Sequence, residues 1–333
     1  MFNKIIKSRF FERDLYFLRK IFPILNNRYD YLNGINYQGL STSQYPDVSE
    51  KVSEATLVLE HLEQATQFVV DMPNGVPNLI WLYWNTPLEQ APDVVKLSVK
   101  TWRQKNPDYD VVLINDDNIK DVLGFDFHAV FNIATVNLGF AMKADILRLY
   151  LLSTHGGVWA DTTTFCVRPL SEWLPQATEK TSFFTFRHKT NKTRPIEAWF
   201  IATGKGNVIV RHTLSLFLDH LFKNRSNSLF ISNQIKKISQ RDSERFFLDI
   251  VLKAEALHFM PYFSVGYFFN EALNQRDTLP IWEELRFMTN DHAVNLDNLD
   301  LVKGCVVSKQ TYKKDYQESD IYLERKKWIL SGL

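Results

Sequence analysis

Asp161 ends the run Gly156-Gly157-Val158-Trp159-Ala160-Asp161 and is followed by three hydroxyls, Thr162, Thr163 and Thr164. A carboxylate beside hydroxyls suits a divalent cation with a diphosphate, because Mg2+ keeps most of its waters and needs only one or two protein carboxylates plus phosphate oxygens. An Asp here serves equally to end a strand or cap a turn. Its company weighs toward chemistry. Asp145 and Arg148 stand three residues apart, which a helix turns into a charged pair on one face. That pair sits in an otherwise apolar stretch, where unpaired charge is costly, and reads either as a structural ion pair or as part of a site. None of the eight histidines follows metal-ligand spacing.

These side chains need elements to position them. Within Phe140 to Phe165, Met142, Ile146, Leu149 and Leu152 recur at helical spacing, and Gly156 can end that helix in a left-handed conformation. Val158, Trp159 and Ala160 then predict a short strand that delivers Asp161 to its C-terminal end, where open α/β sheets bind ligands. Upstream, Leu79 to Trp84 reads as a buried strand, followed by a helix from about Asp93 to Gln104, the turn Asn106-Pro107, and a second buried strand from Tyr109 to Ile114. The polar cluster Asn115-Asp116-Asp117-Asn118 comes next. Strand, helix, strand predicts a parallel sheet with right-handed crossovers. Before it, Val52, Leu57, Leu59, Leu62, Ala65 and Val69 predict a helix from Asp47 to about Val70, closed by Pro73, Asn74 and Gly75.

The chain has 333 residues, which points to one large α/β domain with helical additions, or to two domains. Hydrophobic residues make up 45% and aromatics 14%, enough for a large core and an aromatic pocket. The 39 Lys and Arg against 38 Asp and Glu leave a net charge of +1, so no global field favours nucleic acid. The two cysteines, Cys166 and Cys305, are too few for a disulfide framework or a Cys-based zinc site, and a reducing compartment is expected. No apolar run reaches about 18 residues, and no secretion signal is read at the start. Residues 1–28 carry Lys4, Lys7, Arg9, Arg13, Arg19, Lys20 and Arg28 against Glu12 and Asp14, interleaved with Phe2, Ile5, Phe10, Phe17 and Phe22. This segment is either a membrane-surface helix, its aromatics in the interface and its bases on anionic head groups, or a terminal helix docked on its own domain.

Three motifs in order, Ile80-Trp81-Leu82-Tyr83-Trp84, Lys143-Ala144-Asp145-Ile146-Leu147-Arg148-Leu149-Tyr150 and Gly156-Gly157-Val158-Trp159-Ala160-Asp161-Thr162-Thr163, resemble those of the bacterial capsular polysaccharide synthesis proteins. These belong with glycosyltransferases that carry a sugar-binding region with a DXD motif, and are similar to the glucosylating domains of large clostridial toxins. The likeness runs from about Pro77 to Leu174. It continues more weakly through Ile196 to Phe200, Tyr262 to Phe269 and Ser308 to Lys313, and leaves residues 1–70 uncovered.

The resemblance implies an α/β GT-A Rossmann-like glycosyltransferase fold with added N- and C-terminal helices. It divides the chain into a helical N-terminal region (1–72), a nucleotide-sugar-binding catalytic core (73–260) and a helical C-terminal region that closes over the donor (261–333). The implied reaction moves a sugar from a nucleotide-sugar, a UDP-sugar being the expected donor, to a capsular or surface polysaccharide with retention at the anomeric carbon. The acceptor is a glycan or lipid-linked glycan, and the setting is cytoplasmic, peripheral on the inner face of the plasma membrane. Asp145 is then expected to accept hydrogen bonds from ribose or sugar hydroxyls, with Arg148 touching the sugar or holding Asp145. Asp161 takes the first DXD position. Trp81 and Trp84 are assigned near the base, where an aromatic face stacks for roughly 1–3 kcal/mol; each is equally at home in a core.

Asp161 and Thr163 are the expected ligands of a divalent cation, Mg2+ or Mn2+. Thr163, a weaker ligand, stands where the full motif has a second Asp, so that metal binding is either looser or completed from elsewhere, with Asp116 and Asp117 as candidates, and metal dependence is open. Ser308, Lys309 and Lys313 are expected over the diphosphate, where cations stabilise charge on the leaving nucleotide; the alternative is a solvated basic loop. Glu197 either positions the acceptor hydroxyl and supports an oxocarbenium-like transition state or bonds to the fold, and is not read as a nucleophile. Two other functions fit the same residues: a catalytically silent nucleotide-sugar or glycan binder, and a capsule sugar-phosphate transferase.

Overall fold

A computed structural model describes residues 1–69, 75–222, 260 and 262–333. In chain order the principal elements are helix α1 (Val48–Gln67), β1 (Leu79–Tyr83), α2 (Asp93–Lys105), β2 (Asp110–Ile114), α3 (Phe140–Thr154), β3 (Gly157–Ala160) and β4 (Thr164–Cys166). There follow β5 (Phe183–Arg187), β6 (Ile196–Thr203), α4 (Val208–Phe222), α5 (Ser264–Leu273), β7 (His292–Ala293), β8 (Val307–Lys309) and α6 (Asp320–Ser331). The expected end of the first long helix at Val70, the Pro73-Asn74 turn and the boundary between 72 and 73 lie outside the described residues.

Five strands form the main sheet in the order β2-β1-β3-β6-β5. β1 is parallel to β2 and to β3, as the strand-helix-strand pattern predicts. β6 runs antiparallel to both β3 and β5, so the sheet is mixed. A parallel neighbour needs a long crossover, and the segment between β5 and β6 contains no helix. Strand β1 is apolar because it lies between two neighbours: Ile80 and Leu82 are fully buried, and one contiguous core joins them to Trp102 of α2, Ile146 and Leu149 of α3 and Leu62 of α1.

Two glycines set the start of β3. Gly156 has φ 69°, as expected for a helix stop, and a Cβ there would lie 2.7 Å from the Lys205 backbone nitrogen. Gly157 has φ 92°, and its Cβ would lie 2.5 Å from the Leu79 carbonyl oxygen. Only a residue without a side chain tolerates that backbone and that approach of β1.

The C-terminal segment is not purely helical. β8 pairs antiparallel with β4 and parallel with β7 in a second, three-stranded sheet, with Lys309 opposite Thr164. α6 closes over α2: the Tyr322 hydroxyl donates to Asp93 at 2.7 Å, and Lys326 pairs with the same carboxylate. At the other end, residues 1–33 fold as short helices, Phe2–Ile6, Arg9–Arg13, Tyr16–Ile21 and Pro23–Asn33, around a small cluster of Ile6, Phe11, Tyr29 and Ile35. No helix among the described residues is long and apolar enough to cross a membrane.

Candidate active site

A cavity of about 450 Å3 opens at the C-terminal ends of β1 and β3. Asp145 and Arg148 reach it from α3, Asp161, Thr162 and Thr163 from the turn after β3, Glu197 from β6, and Lys309 from β8. Both expected acidic positions therefore meet in one place. Arg148 joins them: its Nη2 donates to Asp145 Oδ1 at 3.0 Å and to Asp161 Oδ1 at 3.1 Å, while its Nη1 donates to the Ala198 carbonyl. The guanidinium carbon lies 5.0 Å from the centre of the Trp159 ring. A planar fork with several fixed donors can serve two carboxylates and a carbonyl at once, which a lysine cannot do.

Asp161 is held on every side. The Trp159 indole N–H donates to Oδ1 at 2.9 Å, and Lys309 Nζ lies 2.6 Å from Oδ2. Burial opposes the charge on Asp161, but Lys309 and Arg148 outweigh it and hold the carboxyl below its usual range. Asp145 goes the other way. Burial dominates there, against Arg148, and with the added repulsion of Asp161 its carboxyl is pushed up to about 7. Two carboxylates around one guanidinium thus have separated affinities for protons, a pattern that recurs where environments assign different tasks to like groups.

The three threonines divide their roles. Thr162 Oγ1 donates to the Tyr83 carbonyl at 2.8 Å, and Thr164 Oγ1 donates to the Asp161 carbonyl at 2.7 Å and accepts from the Trp102 indole at 3.0 Å. Thr163 alone turns its hydroxyl to Lys309, at 2.7 Å. The expected metal ligands thus share an ammonium group. Lys309 occupies the two oxygens that Mg2+ would need at about 2.0–2.1 Å, and its ammonium would repel the ion, so this set as it stands does not fit Mg2+. Among the described residues no cluster of three or more His, Cys, Asp or Glu could hold a metal. Asp116 does not complete the set: it is engaged by the Tyr83 hydroxyl at 2.6 Å and His128 Nε2 at 3.2 Å, and neither it nor Asp117 lines the cavity.

Trp84 lines the cavity, its ring edge-to-face with Tyr312 at 5.4 Å. Trp81 does not. It lies inside β1, and its indole N–H donates at 3.0 Å to the carbonyl of Gly156, at the start of β3 and so at the end of that strand opposite Asp161. Ser308 is also turned away, because side chains alternate along a strand and Lys309 takes the cavity side. Ser308 is fully buried, and its Oγ accepts from Gln310. Lys313 is exposed at the start of a short helix and does not line the cavity. Glu197 does line it, and its Oε2 accepts the Trp199 indole N–H at 2.8 Å.

Several wall residues were not singled out as site residues, although the weaker resemblance over Tyr262 to Phe269 covers two of them. Arg194 and His188 come from the β5–β6 connection, and Tyr262 and Phe263 from the turn before α5, far away in sequence. Gly266 makes room for Arg194: a Cβ there would lie 3.1 Å from the Arg194 side chain. Trp159 was readable, since i and i+2 at the end of a strand lie on one side. A second cavity, of about 810 Å3, adjoins through His188 and is lined by Arg187, Asn191, Asn270, Trp282 and Arg286 among others.

A family model described as capsular polysaccharide synthesis protein matches residues 40–325. The Saccharomyces cerevisiae protein HOC1, which bears a glycosyltransferase name, is 25% identical over 188 residues, 52% of this chain and 46% of its own length. The initiation-specific alpha-1,6-mannosyltransferases of Candida albicans and S. cerevisiae are each 27% identical, over 42% and 52% of this chain and 36% and 35% of theirs. The chain thus spans less than half the length of these curated relatives. Among solved structures, the PaToxG glycosyltransferase aligns at 17% identity over 67% of this chain and 96% of its own, with a TM-score of 0.30, a likeness too low to carry a structural conclusion.

Proposed function

The chain belongs to the capsular polysaccharide synthesis protein family, and on that premise we propose that it is a glycosyltransferase that moves a sugar from a nucleotide-sugar to a glycan acceptor. The observation that carries this reading is the meeting of Asp145 and Asp161, from a helix and a strand end, on one nitrogen of Arg148 at the wall of a single cavity. In this reading Asp145 and Arg148 bind the hydroxyls of the sugar, Trp84 and Tyr312 receive the base, and the diphosphate lies against Thr163 and Lys309. Two of the named relatives bear a mannosyltransferase name, so nucleotide-activated mannose stands beside UDP-hexoses among the donors to be tested.

Transfer proceeds with retention by front-face displacement. The bond from the anomeric carbon to the diphosphate oxygen breaks with its electron pair leaving on that oxygen. The acceptor oxygen bonds to the same face, and its proton passes to the departing phosphate. Glu197, fixed by Trp199, supports the positive charge that develops on the sugar. The acceptor, a surface glycan or lipid-linked glycan, approaches from the side of His188 and the second cavity, where Trp282 and two arginines suit a sugar with acidic groups.

Purified protein incubated with a panel of nucleotide-sugars should release a nucleoside diphosphate, and Asp161→Ala and Asp145→Ala should abolish the release. A nucleoside monophosphate product would assign sugar-phosphate transfer instead, and tight donor binding without any release would leave only a binder.

Residues 1–28 are proposed to hold the enzyme on an anionic membrane, at the cytoplasmic face. Phe2, Phe10, Phe17 and Phe22 are each more than half exposed beside the basic residues. Deleting these residues should reduce flotation with anionic vesicles; unchanged flotation refutes the anchor.

A further inference from the structure

We propose that Lys309 occupies the position of the metal ion, so that its ammonium, and no divalent cation, neutralises the diphosphate of the donor. This rests on the nucleotide-sugar reading above. Lys309 Nζ lies 2.6 Å from Asp161 Oδ2 and 2.7 Å from Thr163 Oγ1, the two atoms from which a cation would be expected to hang. An ammonium has three donors. Two are used by these partners, and the third has no partner among the described residues in a cavity that Lys309 itself lines.

The lysine is built into position. β8 is paired with β4 at Lys309 and Thr164, and the Gln310 N–H donates to the Thr163 carbonyl at 2.6 Å, so the lysine backbone is bound to the very turn that carries Thr163. Strand alternation turns Ser308 into the core and leaves Lys309 facing the cavity. Arg148, hydrogen-bonded to the other oxygen of Asp161, makes a second fixed positive charge. Arg148 is shared with Asp145, so Lys309, with one N–H left for the ligand, is the cation that can supply, without a metal, the stabilisation of developing negative charge that usually dominates such steps. When the bond between the anomeric carbon and the phosphate oxygen breaks, the electron pair stays on the nucleoside diphosphate, and the Lys309 N–H donates to an oxygen of that leaving group while keeping its own proton.

The test uses the full chain. Calorimetric binding of UDP and GDP, and release of either from its nucleotide-sugars, are measured in EDTA and again with Mg2+ or Mn2+; the expectation is agreement within about twofold. Lys309→Gln should weaken nucleoside diphosphate binding in EDTA at least tenfold, lower release on the order of 10²–10³-fold, and open Asp161 and Thr163 to Mn2+, seen as a new bound-ion signal by electron paramagnetic resonance. Lys309→Arg, which keeps the charge, should retain more binding than Lys309→Gln. Binding or release that requires Mg2+ or Mn2+ in the wild-type protein overturns the proposal, as does unaltered binding by Lys309→Gln or absence of nucleoside diphosphate binding under both conditions. The wild-type comparison needs no variant to fold. Metal-independent binding with no release from any donor would sink the transferase reading alone and leave the lysine's role in binding standing.

Discussion

Arg148 Nη2 lies 3.0 Å from Asp145 Oδ1 inside α3, and both side chains are less than 10% exposed. Burial nevertheless pushes the Asp145 carboxyl up to about 7, so the single guanidinium does not offset the cost of removing this carboxylate from water. A carboxyl whose affinity for protons is raised on folding favours the folded state most in acid. That contribution is complete below its unfolded value of about 3.9 and is lost as pH rises to about 7.

Two outcomes follow for Asp145. The melting temperature of the wild-type protein should fall between about pH 4 and 7 relative to Asp145→Asn, which removes the titration. Release of nucleotide, where ionised Asp145 accepts hydroxyl hydrogen bonds, should decline below about pH 7 with an acid limb that the Asn variant lacks. An identical acid limb in both proteins would assign it to another group.

Arg148→Ala leaves Asp145 and Asp161 without their shared partner. Breaking a buried pair from one side costs about 3–5 kcal/mol, which chemical denaturation should register as a lowered midpoint. Arg148→Lys should recover less than half of the loss, because one ammonium cannot reach two carboxylates and the Ala198 carbonyl together.

Trp84 meets Tyr312 edge-to-face at 5.4 Å, at the rim of the cavity and outside the strand. Trp84→Ala should weaken nucleoside diphosphate binding by about 1–3 kcal/mol, read by calorimetry, with a much smaller change in the maximal rate of release. The melting temperature should barely move, since Trp84 is only partly buried.

Gly157→Ala tests the position of β3. Its φ of 92° is strained for any side chain, and the new Cβ would lie 2.5 Å from the Leu79 carbonyl. Losing that close approach should cost at least about 1–3 kcal/mol in denaturation and should also reduce donor binding, because β3 carries Asp161. Stability close to that of the wild type would show that β1 and β3 can separate without cost.

The sequence by itself determined the local geometry. Helical spacing predicts that Asp145 and Arg148 share a face, Gly156 predicts the helix stop before β3, and the short apolar strand predicts that Asp161 stands at its C-terminal end; all three are found. These follow from periodicity and from the steric freedom of glycine, which act over a few residues. Trp81 and Trp84 were not separable at that range. Which end of β3 each indole meets depends on the register of β1 against β3, and this sends Trp81 to the Gly156 carbonyl.

The occupant of the Asp161 and Thr163 site was decided only by the tertiary structure. Lys309 arrives from a strand 148 residues further along, through pairing of β8 with β4 and through alternation that buries Ser308 and exposes Lys309 to the cavity. No local pattern encodes such a pairing, since it is set by how two distant segments share one core. The same packing turned a predicted metal site into a salt bridge and brought Arg194, His188 and Tyr262 to the walls around it.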